Sequence, residues 1–363
     1  MTDFARPERY LGAVRRILAL QDDDGRIPWT ECGVFDPWNH IESAMALGVM
    51  GETAAARGAL EHLRRTQNSD GSWWADYGNA APVDEDRQRM AAATQPPLRD
   101  TNHAAYVVMG VLHDFLCTND LASLKRAWPM AEAALEFAVR HQTQDGDIRW
   151  AGRDPHTPQD DALLTGCSSI YKSLAAGLRL ADILGLTRPD WARARDALGA
   201  AIREKPQRFD RTWPSNARFS MDWYYPVLCG AIDGRDAEAR IADRWETFVV
   251  DGLGCRCVEE EPWVTAAEAC ELSLALLRIG DRTRAEAVFQ WQDRCRDADG
   301  AYWMGWQFRN KVFWPVDKPS WTAAAIILAA DALYGFSSAS GIFLNWDVSP
   351  ALPRQAAAVG RAT

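Results

Sequence analysis

The most constraining feature of the sequence is a motif that recurs along the chain. A predicted helix ends near a glutamine, an acidic turn with glycine follows, and tryptophan comes next. This Gln/Gly/Trp motif occurs at 21–29, 67–74, 144–150 and 292–303. Repetition at intervals of tens of residues indicates an array of equivalent supersecondary units, each packed on its neighbours. The motif therefore constrains the whole architecture and not one local segment.

The domain organisation follows from the reach of this motif. It spans nearly the whole chain of 363 residues, and no Pro-, Gly- or Ser-rich linker interrupts it. We therefore predict a single domain over residues 1–335 and a tail over 336–363. We expect the tail to wrap the domain through Phe343, Leu344 and Trp346, and to be disordered beyond about residue 350.

Composition excludes several classes of partner. The formal net charge of -10 and the absence of basic clusters argue against binding to nucleic acid or to an anionic membrane. The sequence has no apolar run of membrane-spanning length and no charged-then-apolar leader, which predicts a cytoplasmic protein. The eight cysteines are scattered, as is typical of buried thiols in a reducing compartment.

We expect neither a metal nor another cofactor. Only Cys255 and Cys257 lie close together among the cysteines, and no further soft or imidazole ligand stands near them in the sequence. A zinc site would need two more such ligands at suitable spacing. These two thiols are therefore interpreted as structural.

Apolar periodicity and turn residues predict twelve helices and little strand. The predicted segments are 7–20, 38–50, 53–66, 101–117, 121–142, 165–185, 189–204, 220–232, 236–249, 264–279, 282–294 and 320–334.

The connections between these helices alternate in length. Those after even-numbered helices are short, whereas those after odd-numbered helices run to roughly 15 to 35 residues and contain the Gln/Gly/Trp motifs. Even-numbered helices are almost wholly apolar, as expected for helices buried on all sides, whereas odd-numbered helices are amphipathic. We therefore predict an all-α (α/α)6 toroid of six hairpins with inner and outer rings. All long loops would lie on one face.

Two stretches resemble a known superfamily. Residues 63–73, with the sequence LRRTQNSDGSW, resemble the glutamine–tryptophan repeat of terpenoid cyclases. Residues 128–146 resemble hairpins of glucoamylase-type and related sugar-processing enzymes. Both groups belong to the six-hairpin superfamily, which contains the six-hairpin glycosidases as well as the terpenoid cyclases and protein prenyltransferase β subunits. The resemblance covers about residues 7–334 and implies the fold, but it leaves the reaction open.

Polar and aromatic residues cluster at the predicted starts of the inner helices, all on the long-loop face. These starts are 36–42, 100–103, 165–171, 221–225, 262–268 and 318–322. Six such starts around one axis would form a cup, and the free N–H groups of the helix ends would favour anionic or hydroxyl-rich ligands. Several of these residues are also good helix N-caps, which is the alternative interpretation at each position.

Carbohydrate processing fits this cup best. That chemistry needs a protonated carboxylic acid and an ionised carboxylate facing each other across a pocket, with aromatic rings beneath the sugar. The candidate catalytic residues are Asp36, His40, Glu42, Asp100, His103, Asp222, Tyr225 and Glu268. We assign Glu268 as the proton donor, because its apolar helix should raise its pKa, and Asp100 or Asp36 as the ionised partner. The candidate substrate-binding residues are Trp38, Asn39, Asn102, Ser169, Tyr171, Trp223, Tyr224, Glu261, Trp263, Trp306 and Trp321.

Other functions of the superfamily fit the same residues less well. Protein prenyltransferases hold zinc with an Asp-x-Cys pair and a later histidine, but the last histidine of the chain is His156, so none follows the C-terminal cysteines. Cyclases of the protonating class use an Asp-x-Asp-Asp motif that is also absent, so a terpene cyclase is the second choice. A non-catalytic ligand-binding toroid is the third.

We therefore predict a carbohydrate-active enzyme of the six-hairpin glycosidase type that acts on a small-molecule or oligosaccharide substrate. Hydrolysis is the expected reaction, and elimination or epimerisation stays open. The oligomeric state is not predicted.

Overall fold

The computed structural model describes residues 3–78, 98–154, 157–158, 160–212 and 214–344. This part of the chain contains thirteen α-helices. They are α1 Leu11–Leu20, α2 Pro37–Val49, α3 Thr53–Thr66, α4 Thr101–Thr118, α5 Leu121–Arg140, α6 Leu164–Ile183, α7 Pro189–Glu204, α8 Ser220–Leu228, α9 Gly234–Asp243, α10 Trp245–Phe248, α11 Ala266–Arg278, α12 Arg282–Trp291 and α13 Ser320–Tyr334. None of the described helices is long and apolar enough to cross a membrane.

Six helices form a closed inner ring. In order around the ring they are α2, α4, α6, α8, α11 and α13, and α13 packs on α2 to close it. Their apolar residues are buried on all sides, because each inner helix contacts two ring neighbours and the outer helices. The (α/α)6 toroid predicted from the connection lengths is therefore confirmed. The predicted outer helix over 236–249 is divided into α9 and the single turn α10.

The long connections carry eight short strands in the described residues, which the sequence did not indicate. One sheet contains β1 Arg99–Asp100, β2 Ala151–Asp154 and β3 Thr157–Pro158. The other contains, in spatial order, β4 Val249–Val250, β5 Gly254–Arg256, β6 Trp263–Thr265, β7 Gly305–Gln307 and β8 Val312–Phe313. All neighbouring strands are antiparallel. Because β1 and β6 run directly into α4 and α11, the sheets hold the starts of inner helices.

The glutamine of the repeated motif links one hairpin to the next. Gln67 Nε2 donates to the carbonyl of Gly71 in its own turn and to that of Met130 in α5, both at 3.0 Å. In the third motif Gln142 makes the equivalent bonds, to the carbonyls of Gly146 at 2.9 Å and Ala194 at 2.8 Å. The prediction that this motif starts at Gln144 was therefore wrong by two residues.

The glycine of the motif allows the turn to approach an outer helix. Gly71 has φ +90°, and a Cβ placed there would lie 2.1 Å from the carbonyl oxygen of Ala133 in α5. Trp73 then packs beneath the turn, fully buried, and its Nε1 donates to the carbonyl of Leu63 at 3.0 Å. The motif therefore acts as a packing device between hairpins, with aromatic area buried at each junction.

The beginning of the tail packs against the ring. Ile342 and Phe343 are buried in the hydrophobic core. Trp346 and the remainder of the tail, over 345–363, lie outside the described residues.

Candidate active site

A cup opens where the inner helices start. Its empty volume, including the open mouth, is about 910 Å³. Its wall comes from the starts of α2, α4, α6 and α8 and from the crossovers beside them. Five predicted site residues line it, namely Trp38, Asp100, Asn102, His103 and Asp222. The alternation of short and long connections brings these residues together, because all inner helices run in the same direction.

Asp100 caps the start of α4. Its Oδ1 accepts hydrogen bonds from the backbone N–H groups of Asn102 at 2.8 Å and His103 at 3.1 Å. These two donors at the N-terminus of α4 fix the position of the Asp100 carboxyl group. One side of the cup therefore presents a carboxylate that the backbone holds in place.

Asp222 lies in the first turn of α8 in a very different environment. It is 8% exposed, and its Oδ1 has no hydrogen-bond partner among the described residues. Burial and the nearby Asp210 raise the pKa of Asp222 to about 6, although Arg240 and Arg244 oppose that rise. Asp222 can therefore carry a proton at weakly acidic pH, as the acid in general acid catalysis must.

His103 stands beside Asp100 on the cup wall. Its Nδ1 donates to the carbonyl of Ala75 at 3.1 Å, which leaves Nε2 as the nitrogen that can serve a ligand. Burial alone would lower the pKa of His103, but the carboxylates of Asp100, Asp36 and Asp76 raise it above its ordinary value. The protonated ring is therefore favoured among these acids.

Asp76 belongs to this acidic group, and sequence reasoning missed it. Burial and the neighbouring Asp36 raise the pKa of Asp76, while His103 lowers it in part. The residue lies in the crossover between α3 and α4, three positions after the motif tryptophan Trp73. That crossover was assigned no regular structure, so its path back to α4 could not be inferred.

Trp38 forms the boundary between the cup and a second cavity beneath it. Its indole lines the cup, and its Nε1 donates to Glu42 Oε1 at 2.8 Å. Glu42 lines the lower cavity, whose empty volume is about 480 Å³. The Tyr106 hydroxyl also donates to Glu42 Oε1, at 3.2 Å. Burial raises the pKa of Glu42 to about 7, and the hydrogen bonds from Trp38 and Tyr106 limit that rise.

Glu271 faces Glu42 across this lower cavity, and the sequence prediction also missed it. The hydroxyls of Tyr224 and Tyr225 both donate to its carboxylate, the latter at 2.6 Å. Burial and then the charge of Glu42 raise the pKa of Glu271 well above its ordinary value. Glu271 follows Glu268 in the same apolar helix, and that spacing was the available signal.

Comparison with known proteins narrows the function. No protein-family model matches the chain. The MMP endo-(1,4)-3-O-methyl-alpha-D-mannosidase of Mycolicibacterium hassiacum is 43% identical over 342 residues, which cover 94% of this chain and 90% of the relative. The chain belongs to the family of this mannosidase. It is a carbohydrate-active enzyme of the six-hairpin glycosidase type, as the sequence predicted.

Solved structures share the fold of this glycosidase at low sequence identity. A wild-type glycosidase superposes with a TM-score of 0.66 at 15% identity, over 92% of this chain and 98% of the other. A D-mannose isomerase gives 0.65 at 11% identity, over 91% and 98%. An α-amylase from Clostridium perfringens gives 0.61 at 9% identity, over 89% and 97%. These similarities support the six-hairpin toroid alone.

His40 does not reach the cup of the glycosidase. It is 0% exposed, Ile27 N–H donates to its Nδ1 at 3.1 Å, and its Nε2 bonds the carbonyl of Ala59 at 3.0 Å. Burial lowers the pKa of His40 to about 4. A neutral ring with both nitrogens bonded to backbone serves packing, so the predicted catalytic role of His40 lacks a geometric basis.

Asp36 caps α2 and is buried. Its carboxylate accepts from Asn39 N at 2.9 Å, from Asn39 Nδ2 at 2.6 Å and from Trp29 Nε1 at 2.6 Å. The predicted ligand-binding amide of Asn39 is therefore already engaged. Both residues lie at the start of α2, where they hold the crossover against the helix.

Several other predicted ligand contacts point away from the cup. Trp223 stacks on Phe248 with ring centroids 5.4 Å apart, and its Nε1 donates to the carbonyl of Arg240. Tyr171 lies against Gly199 of the outer helix α7. Tyr224, Tyr225 and Ser169 belong to the lower part of the ring, the last two lining the lower cavity. Helical rotation explains these differences, because successive residues project about 100° apart and few face the axis.

The remaining predicted residues lie on the α11 and α13 side. Glu268 accepts a hydrogen bond from the Thr265 hydroxyl and lies close enough to Cys257, which lines the cup, to raise the pKa of that thiol beyond the rise that burial causes. Trp263 and Trp306 lie on neighbouring strands β6 and β7. The other two are Glu261, which is exposed, and Trp321, which packs edge-on against Trp29.

In the described residues no group of three or more His, Cys, Asp or Glu is placed to hold a metal ion.

Proposed function

We propose that this glycosidase cleaves internal α-(1→4) linkages of an oligosaccharide of 3-O-methyl-D-mannose inside the cup. The relative at 43% identity is an endo-(1,4)-3-O-methyl-alpha-D-mannosidase, and this similarity supports the same substrate class. The cup itself supports hydrolysis, because it contains two aspartates with opposite environments. We assign Asp222 as the proton donor and Asp100 as its ionised partner.

The single observation that carries this assignment is the contrast between the two aspartates. Asp222 is buried with a pKa of about 6, whereas Asp100 accepts two backbone N–H groups at a helix start. They project from α8 and α4, two positions apart in the ring, into one cavity. Pairs of carboxyl groups whose environments separate their protonation states divide the acid and base roles in glycoside hydrolysis.

The reaction follows from these roles. The Asp222 carboxyl donates its proton to the glycosidic oxygen as the bond from that oxygen to the anomeric carbon breaks. The Asp100 carboxylate stabilises the positive charge that develops at the anomeric carbon, and water supplies the hydroxyl of the new reducing end. The proton released from that water restores the acid.

Neighbouring groups in the cup suit a sugar ring. Trp38 offers an aromatic surface, which suits the apolar face of a pyranose and the methyl ether. Asn102 is 4% exposed, and its Oδ1 has no hydrogen-bond partner among the described residues, so it can accept from a sugar hydroxyl. Nε2 of a protonated His103 can donate to another hydroxyl.

Glu268, the proton donor assigned from the sequence, stays an alternative prediction. It lies on α11, opposite α4 in the ring, and its contact with Cys257 brings it behind the cup wall. A carboxylate at that position would also face Asp100. Activity measurements on isosteric variants separate Glu268 from Asp222.

The test uses purified protein and synthetic α-(1→4)-linked mannooligosaccharides with and without 3-O-methyl groups. Mass spectrometry and chromatography of the products report cleavage and its position. We expect the wild type to cleave the methylated series, and Asp222→Asn to lose about 10² to 10⁴-fold in kcat/KM. Asp331→Asn is the matched control, because Asp331 is a buried aspartate at the other end of α13, and its activity should stay within about threefold of wild type.

Each outcome has a defined consequence. An inactive Glu268→Gln protein beside a fully active Asp222→Asn protein would transfer the proton-donor role to Glu268. Absence of cleavage of every mannoside by the wild type would show that the proposed function is wrong.

A further inference from the structure

We propose that Glu42 is a positioning residue for substrate binding, which fixes the Trp38 indole in the orientation that the cup floor presents to a sugar. Glu42 itself does not line the described cup, so it would act through Trp38. The binding role rests on the proposed function of the cup, whereas the contact between Glu42 and Trp38 does not.

The geometry leaves the indole one orientation. Trp38 and Glu42 are four residues apart on α2, so their side chains lie on the same helix face, and Trp38 Nε1 donates to Glu42 Oε1 at 2.8 Å. The Trp38 ring also packs edge-on or tilted against three rings, with centroids 5.5 Å from Tyr106, 5.8 Å from Tyr225 and 6.0 Å from His103. The packing of these three rings accommodates the Trp38 indole, and the hydrogen bond to Glu42 determines which edge of the indole points toward the lower cavity.

The buried Glu42 carboxylate is an energetically unfavourable acceptor for the Trp38 indole N–H. A buried carboxylate pays a desolvation cost that an amide or hydroxyl avoids, and burial raises the pKa of Glu42 to about 7. An ionised acceptor forms a shorter and stronger hydrogen bond than a neutral one. The charge therefore strengthens the contact that orients the indole, at the pH where Glu42 is ionised.

The surroundings of Glu42 decide how it titrates. Tyr106 from α4, Lys172 from α6, Tyr225 from α8 and Glu271 from α11 line the same cavity, while α13 contributes only the apolar Ala325 and Leu328. Asp36 acts on Glu42 by charge from the start of α2. Because Glu42 alone among these groups accepts from the Trp38 N–H, the state of that N–H reports its ionisation.

The first test needs no substrate. Protein labelled with ¹⁵N-tryptophan gives one indole resonance per tryptophan, and loss of a resonance in Trp38→Phe identifies that of Trp38. We expect this resonance to shift with pH with a midpoint of about 7, and Glu42→Gln to remove most of that shift, leaving only the smaller contribution of His103 beside the ring. A resonance that does not move between pH 5 and 9, or that moves by the same amount in Glu42→Gln, would overturn the positioning role.

The second test separates positioning from a merely structural role. Glu42→Leu should raise KM for the mannooligosaccharide about tenfold and lower kcat by less than about threefold, because the indole loses its acceptor. Glu42→Gln keeps a carbonyl oxygen for the N–H, so its KM should stay within about threefold of wild type. Glu271→Gln changes a buried carboxylate of the same cavity that does not bond Trp38, and it should leave KM unchanged.

The remaining outcomes are also decisive. In the Trp38→Phe background Glu42→Leu should have no further effect on KM, and an equal rise in both backgrounds would contradict the inference. If Glu42→Leu fails to fold, the resonance test on Glu42→Gln still decides. If the wild type cleaves no mannoside, the proposed function fails. A persisting pH titration of the Trp38 resonance would then still support the contact, and sugar binding alone would be lost.

Discussion

Replacement of Asp222 by asparagine should inactivate the enzyme and stabilise it at alkaline pH. The carboxyl group is buried, its Oδ1 lacks a partner in the described structure, and its pKa is raised from 3.8 to about 6. A carboxyl group whose pKa is higher in the folded than in the unfolded protein makes its full contribution to stability at pH values below the unfolded-state pKa. That contribution is lost as pH rises through about 6. Asparagine has nearly the same shape and no charge, so it avoids this loss.

The magnitude follows from the pKa. Each pKa unit corresponds to about 1.4 kcal/mol, so a rise from 3.8 to about 6 corresponds to about 3 kcal/mol at pH 8. For a chain of 363 residues this amounts to an increase of about 4 °C in Tm. At pH 3, where both states hold the proton, the wild type and Asp222→Asn should have the same stability.

The assay is urea unfolding of both proteins at several pH values, with activity measured in parallel. Asp147→Asn is a contrasting control. Asp147 is also buried, but Arg208 Nε lies 2.8 Å and Arg211 Nη1 lies 3.3 Å from its carboxylate, and these interactions lower its pKa despite burial. Removal of its charge should therefore destabilise the protein, by about 3 kcal/mol.

A particular result would refute the reasoning about Asp222. If Asp222→Asn is less stable than wild type at pH 8, or if the difference does not change between pH 4 and 8, then the folded protein does not disfavour the charged form. Asp222 would then have no raised pKa to support its role as proton donor.

Two further predictions concern the repeated motif, and urea unfolding measures both. Gly71→Ala should cost about 2–5 kcal/mol, because a Cβ would meet the Ala133 carbonyl at 2.1 Å, whereas Gly33→Ala, at φ +78° with open space, should cost only about 1–2 kcal/mol. Equal losses would mean that the turn does not depend on close approach. Gln142→Leu should cost about 2 kcal/mol, because it removes the side-chain donor that bonds two buried carbonyls and links two hairpins. The exposed Gln144→Leu should change stability by less than about 0.5 kcal/mol. A larger loss for Gln144 would restore the motif position inferred from the sequence.

The architecture was accessible from the sequence because it depends on properties that lie along the chain. Connection lengths alternate, apolar helices alternate with amphipathic ones, and each motif glycine marks a junction between hairpins. The single domain over 1–335 stays a prediction. The close contact of Gly12 in α1 with Gly300 in the last crossover, together with the packing of α13 on α2, favours it.

The site was accessible only in part, for two physical reasons. The sequence locates helix starts such as Asp100 and Asp222. It does not give the rotation of each helix about its own axis, which determines which of the adjacent side chains face the cup. Trp223 was therefore assigned to the cup although it packs outward. Crossover paths are not encoded by periodicity, and Asp76 was therefore missed. Glu271 was missed because its hydrogen-bond partners, Tyr224 and Tyr225, come from another helix.

The most direct test of the central claim is a crystal structure of Asp222→Asn soaked with a 3-O-methylmannose tetrasaccharide. We expect an uncleaved chain in the cup, with one ring over Trp38 and a glycosidic oxygen within hydrogen-bond distance of residue 222. A sugar chain bound elsewhere on the toroid, with an empty cup, would contradict it.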